Sequence, residues 1–377
     1  MKDEIKDEIK DEIKDEIKDE IKGKVIIIGD LHFGLKNFSL ETFNNQFDFF
    51  KKQLFPFMEN NKISTIIQLG DFLDNRKIID INLFNQLTKF FNEIKKRNFK
   101  IYSLLGNHDI YFNSKLNINL IKYFQELFSK NFKVYQQKTK VLVNGYQCLF
   151  VPWIINDPLS ENDLKNIDIL FGHFEIRGFE VIQGYKDSSA ILTSNFLKKQ
   201  NLKQVFSGHY HLKSSDGFIY YVGTPYQINW GDYKTTRGFY VWDNLKINFI
   251  ENQISPKFIK IKYNENNFKR IEISGYSKNS LFFDDADEIN IPLNNKFKFF
   301  INEANENKKY YEEVIYKLRK KGYVFSVTNN IELKNLIKLP VQKNISTTEL
   351  IFETIKKEAP YLVNLTSKII QEIQEEE

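Results

Sequence analysis

Five short apolar runs constrain the fold more than anything else in the chain: VIIIGD (25–30), TIIQLGD (65–71), IYSLLGNHD (101–109), IDILFGHFE (167–175) and QVFSGHYH (204–211). Each is a buried-strand pattern of Ile, Val, Leu and Phe that stops at Gly or Asn beside Asp or His. Helical patterns at 39–61 and 81–98 fall between the early runs. Such alternation predicts a largely parallel α/β sheet. Ligands bind such sheets beyond the carboxyl ends of the strands, the edge where all five runs place polar side chains.

The chain has five His, namely His32, His108, His173, His209 and His211, and every one lies at the end of one of these runs. A lone histidine is ordinarily a packed or surface residue, but five of five at one structural position point to metal. Asp30-x-His32 and His209-x-His211 each put two side chains on one side of an extended segment. Asp71 and Asn107 add oxygen donors and His173 another imidazole. These seven nitrogen and oxygen groups, with no sulfur, are too many for one tetrahedral ion and suit two ions sharing a carboxylate. Mixed imidazole, carboxylate and amide donors suit manganese or iron, admit zinc and disfavour magnesium or calcium; two ions are expected, manganese foremost.

Charge adds a second indication. Lys+Arg number 54 and Asp+Glu 49, but residues 1–22 contribute −4 and residues 371–377 another −4, leaving a body of about +13. A basic body between acidic tails suits an anionic partner, nucleic acid above all. The single cysteine, Cys148, excludes an internal disulfide and a thiolate zinc site. No run reaches the ~20 apolar residues that span a bilayer, and the acidic N-terminus lacks the apolar core of a signal peptide. A soluble, cytoplasmic protein is expected, in the host cytoplasm if the chain is viral. Residues 2–21 are five copies of KDEI with like charges at i,i+4 and no straight apolar seam. Removing residues 1–22 is therefore expected to be neutral.

Asp-x-His, Gly-Asp, Gly-Asn-His-Asp, Gly-His and Gly-His-x-His, in that order, resemble the calcineurin-like metallophosphoesterases. Within that superfamily, GDLHFG (29–34), GDFLDNRK (70–77), VPW (151–153) and GTPYQINWGD…RGF (223–239) resemble the SbcD-type DNA-repair nucleases. The similarity is nearest to the recombination endonuclease subunits of T-even-like phages. The resemblance implies an α/β metallophosphoesterase core of two packed sheets flanked by helices, a small α/β capping domain and C-terminal helices. It implies that Asp30, His32, Asp71 and His211 hold one ion, that Asp71, Asn107, His173 and His209 hold the other, and that His108, oriented by Asp109, protonates the leaving oxygen. The activity implied is two-metal exonuclease and endonuclease hydrolysis of DNA in repair and recombination, by a homodimer partnered with an SbcC-type coiled-coil ATPase. The alternative within the superfamily is a protein phosphatase or small-molecule phosphodiesterase; phosphatases of this fold read Gly-Asn-His-Glu and Asp-Arg-Gly, whereas this chain has Asp109 and Asp74-Asn75-Arg76. A scaffold with a vestigial site is disfavoured by the intact ligand set.

Arg76, Lys77, Lys213 and Arg237 follow strand-end motifs and are candidates for phosphate contacts. The expected organisation is a KDEI extension (1–23), a nuclease domain (24–255) ending near Ser255-Pro256, a capping DNA-binding domain (256–345) and an ATPase-docking helix–loop–helix (346–377). The capping segment reads as strand FKFFI (297–301), a helix near 308–321 ended by Gly322, and strand YVFSV (323–327). Ser346-x-x-Glu349 is a capping box that opens the first C-terminal helix, Pro360 stops it, and Leu362, Leu365, Ile369 and Ile373 stripe the second.

Overall fold

The computed structural model describes residues 19–78, 80–112, 115–153, 158–264, 270–277, 279–301 and 308–329. The C-terminal helix–loop–helix expected at 346–377 lies outside the described residues.

The strands that organise the molecule are, in chain order, β1 (Glu20–Ile21), β2 (Val25–Ile28), β3 (Thr65–Gln68), β4 (Lys100–Leu104), β5 (Phe132–Tyr135), β6 (Thr139–Val143), β7 (Tyr146–Val151), β8 (Ile169–His173), β9 (Gln204–Gly208), β10 (Ser214–Ser215), β11 (Ile219–Tyr221), β12 (Gly238–Asp243) and β13 (Lys246–Glu251). They form two sheets, in the orders β13-β12-β2-β3-β4-β5 and β1-β6-β7-β8-β9-β11-β10. The strands β2 to β5 run parallel, as do β7, β8, β9 and β11.

The metal-competent runs are thus divided between two sheets rather than lined up on one: β2, β3 and β4 in the first, β8 and β9 in the second. Alternation within the runs explains the layering. Ile27 and Ile67 face Phe150, Phe171 and Phe206 across the inter-sheet core. Ile26, Ile28 and Ile66 face Phe50, Phe90 and Phe91 on the helices outside, and Leu170 and Val205 line the outer face of the second sheet. Strands buried on both faces read as continuous apolar runs, so one doubly covered sheet and two stacked sheets look alike in sequence.

Helix α1 (Leu40–Phe49), capped by Ser39, continues through a π-helical turn (Phe50–Leu54) into α2 (Phe55–Asn60), while α3 (Ile81–Lys96) starts at Asp80, whose carboxylate accepts from Asn82 N and Leu83 N. Beyond Ser255, β14 (Phe258–Asn264), β15 (Arg270–Ser274), β16 (Leu281–Phe283), β17 (Lys296–Ile301) and β18 (Phe325–Asn329) form a separate sheet ordered β16-β15-β14-β17-β18, with α4 (Lys308–Lys320) following β17. Its core holds Ile259, Ile261, Phe297, Phe299 and Leu318. The final strand lies two residues beyond YVFSV, because Gly322 at φ 90° is followed by Tyr323, which turns inward and is 4% exposed.

The end of the KDEI run corrects one expectation. Ile21 is 3% exposed, β1 pairs in parallel with β6, and the Asp19 carboxylate accepts from Tyr135 Oη at 2.8 Å and pairs with Lys133. Residues 19–22 therefore belong to the second sheet. Charge repeats said nothing of this, because only the partner strand makes Ile21 a core residue. Deleting residues 1–22 is expected to lower the melting temperature by several degrees, and Ile21→Ala alone to cost about 2 kcal/mol; unchanged thermal unfolding of both variants contradicts the assignment.

Candidate metal centre

Each candidate ligand sits where a strand stops. Asp30 and His32 follow β2; Leu31 N and His32 N both donate to Asp71 O, at 2.9 and 3.0 Å, which locks the β2 loop onto the β3 loop. Asn107 and His108 follow β4, and His108 N donates to Asp71 Oδ1 at 2.8 Å. Gly106 is required here, since a Cβ would stand 2.1 Å from Asp71 Oδ1. His173 closes β8, and His209 and His211 follow β9. His32, Asp71 and His209 take left-handed φ values of 46°, 52° and 82°, conformations costing of order 1–3 kcal/mol that persist only where surrounding structure imposes them.

The side chains converge in two lobes. In one, His32 Nε2 lies 3.0 Å from His211 Nε2 and 3.8 Å from Asp71 Oδ2, and His211 Nε2 lies 3.8 Å from Asp30 Oδ2. In the other, Asn107 Oδ1 lies 3.0 Å from both His173 Nε2 and His209 Nδ1, and His173 Nε2 is 3.5 Å from Asp71 Oδ1. Asp71 thus turns one oxygen to each lobe. Donor atoms of Asp30/His32/His211, of His32/Asp71/His108 and of Asp30/Asp71/His173 each fall within 4.8 Å of one another.

Neighbouring groups set the tautomers. His173 Nδ1 donates to Leu69 O at 2.7 Å, and His209 Nε2 to Glu175 Oε1 at 3.1 Å. The other ring nitrogen of each then carries a lone pair aimed at the Asn107 oxygen. Lone pairs of nitrogen, amide and carboxylate meeting without a proton between them call for a cation, and partners holding the far ring nitrogen are how ligand histidines are oriented. His32 Nδ1 is buried without a hydrogen-bond partner, Asp74 Oδ1 standing 3.4 Å away. The residues present fit divalent ions.

Electrostatics agrees. Burial, then the charge of Asp71, pushes Asp30 well above the usual carboxylate range. Burial works against ionised Asp71 too, but His173, His32 and His108 hold it below its ordinary value. Burial lowers His173 to about 4 and, with His32, carries His211 well down. On His32 burial is outweighed by Asp74, Asp71 and Asp30, which lift it to about 9. The carboxylates that lift His32 mark a cluster that favours added positive charge. A divalent ion held by His32 would compete with a proton there, so manganese affinity should rise with pH through neutrality and level off above about 9. Calorimetry in buffers of different ionisation enthalpy counts the proton released; affinity flat across neutral pH contradicts this.

Two expected roles are corrected. Asp109 is 2% exposed and accepts from Phe72 N, Leu73 N and Gly106 N at 3.2, 2.9 and 2.9 Å, tying the β3 and β4 loops together. Burial and the Asp71 charge raise it to about 7. The His108 ring is held instead by Asp74, Nδ1 donating to its carbonyl at 2.7 Å; adjacent residues in a tight turn face opposite ways. Arg237 is 4% exposed, with its guanidinium on His211 O, on Thr224 Oγ1 at 2.7 Å and on Asp232 Oδ1 at 2.6 Å. It braces the His209-x-His211 loop and is withdrawn from phosphate. Arg237→Ala strands a buried carboxylate and should cost about 3–5 kcal/mol, read from the denaturant midpoint; unaltered stability with weakened DNA binding would restore the phosphate role.

Lys213 lies over the Phe249 ring at 4.7 Å, and Arg76 and Lys77 line a surface cavity of about 180 Å³ with Tyr111 and Tyr123. A basic and aromatic patch that sequence reading missed joins the core to the β14–β18 sheet. Lys260 and Lys298 are in register on β14 and β17, with Lys260 Nζ 4.0 Å from the Tyr233 ring centroid and Lys298 Nζ 4.7 Å from that of Trp230. Burial, then Lys262, Lys298 and Lys234, lowers the Lys260 ammonium. Period-two lysines opposite buried Ile259 and Ile261 were the available signal. Asp74 and Glu175 were also missed; each lies within three residues of a candidate ligand, but nothing in the sequence says which ring it meets.

Residues 23–213, just over half the chain, match the family described as calcineurin-like phosphoesterase. The two-sheet core and the ligand cluster at its strand ends accord with that match, and the chain belongs to this family. It is 29% identical over 224 residues to exonuclease subunit 1 of Enterobacteria phage T4, an alignment covering 58% of this chain and 64% of the phage protein. The chain thus spans somewhat under two thirds of that relative's length.

Proposed function

We propose that the protein is a two-metal DNA nuclease, with exonuclease and endonuclease activity, serving repair and recombination as the manganese-dependent subunit of an SbcCD-like complex. The observation that carries this reading is the two-lobed cluster around Asp71. In it Asp30, His32, Asp71 and His211 would hold one ion and Asp71, Asn107, His173 and His209 the other. Ions held there would supply activation of water and offset charge on the phosphoryl oxygens. The chain's own residues do the rest. Asp74 O accepts from His108 Nδ1 and so fixes the ring; with a second proton, on Nε2, the ring would serve the leaving oxygen as general acid. Gly106 and Asp109 keep the His108 turn against Asp71. Similarity to an exonuclease subunit supports DNA as the substrate, and so does the Lys234/Lys260/Lys262/Lys298 patch, whose lysines and rings suit phosphates and bases. Partnership with an SbcC-type ATPase through residues 346–377 and homodimerisation rest on the family resemblance. No helix among the described residues is long and apolar enough to cross a membrane.

The test compares substrates: with manganese the protein should release nucleotides from linear DNA and leave a phosphoserine peptide intact. Preference for the peptide would assign it to the phosphatases instead.

A further inference from the structure

Beside the cluster lies a cavity of about 490 Å³. Trp153, Phe174, Leu192 and Phe196 give it apolar walls, and Ile191, 94% exposed, stands at its rim. It is continuous with the metal centre: His173 forms one wall, and Glu175, whose Oε1 accepts from His209 Nε2, forms another. The Trp153 ring stands 4.9 Å from the His209 ring at an interplanar angle of 32°. Nothing in hydrolysis itself uses this aromatic surface.

We infer that the cavity receives one unpaired nucleobase of a nucleotide flanking the scissile phosphate. The inference rests on the nuclease reading above. Flat aromatic and aliphatic walls complement the face of any base without selecting sequence. Glu175 decides against the other parts of a nucleotide. Its Oε1 accepts from His209 Nε2 at 3.1 Å, so it presents acceptor oxygens to the cavity, which suit the N–H edge of a base and not the oxygens of a phosphate. The sugar–phosphate chain is left on the cluster side. A base stacked within a duplex reaches such a pocket only by leaving the stack, which makes strand opening part of substrate choice.

An abasic substitution tests this without altering the protein. In manganese, the wild type should cleave an intact single-stranded oligodeoxynucleotide with a KM ~5- to 100-fold below that for the same strand made abasic at the flanking nucleotide. Phe196→Ala should reduce that discrimination towards one, and so should Ile191→Asp, which changes only an exposed side chain. Equal cleavage of intact and abasic strands by the wild type overturns the pocket and leaves the nuclease reading standing. Failure to hydrolyse both DNA and bis(p-nitrophenyl) phosphate overturns the nuclease reading and the pocket with it. A phosphoserine peptide whose KM depends on Phe196 would give the cavity to a peptide side chain and overturn the inference.

Discussion

Asp71→Asn should abolish nuclease activity, lowering the rate by at least ~10³, while leaving the protein folded. The side chain turns one oxygen to His32 and the other to His173, so its charge is shared by both lobes. Loss of several kcal/mol of charge stabilisation at 1.36 kcal/mol per tenfold gives that magnitude. Asparagine keeps the shape and an oxygen that can accept from His108 N. It removes the part of the Asp30 shift that Asp71 adds to burial, and with it the attraction of His173, His32 and His108 for Asp71, so the two changes oppose each other and the variant should stay folded. What disappears is stabilisation by manganese, about 2.7 kcal/mol at a hundred times the dissociation constant. Thermal unfolding with and without manganese, beside a cleavage assay, reads both effects. A variant that retains the manganese shift contradicts the shared role of Asp71.

His108→Ala is expected to slow DNA cleavage by ~10²–10⁴, the range for a lost general acid, without changing manganese content. The His108 ring stands 4.9 Å from the His32 ring, and its Nδ1 is tied to Asp74 O. Only Nε2 remains for proton transfer. The leaving group separates this role from ligation: p-nitrophenolate departs without a proton, so bis(p-nitrophenyl) phosphate hydrolysis should fall far less than DNA cleavage. Equal losses on both substrates, or loss of a bound ion, would make His108 a ligand.

The local signals were legible because they are short-range. Runs ending in Gly-Asp, Gly-Asn-His and Gly-His-x-His identify strand ends and ligands together, since the chain must stop being a strand where it begins to bind. The division into two sheets was not legible from the runs, because strands such as Ile26–Ile28 are buried on both faces in either arrangement. The partners of polar groups were hidden for a similar reason. Asp109 neighbours His108 in sequence yet serves the backbone of Phe72 and Leu73, and Arg237 sits in a tract that resembles a nuclease signature yet braces the His211 loop. Contact order, rather than residue type, decides such roles. Ile21 makes the same point: it is buried only because β1 pairs with β6.

The most direct test of the account is the number of manganese ions bound per chain, measured by equilibrium dialysis and followed alongside release of nucleotides from linear DNA. The account predicts two ions per chain, cleavage that appears as the second is taken up, and none in EDTA. One ion per chain at full activity, or cleavage that persists in EDTA, contradicts it.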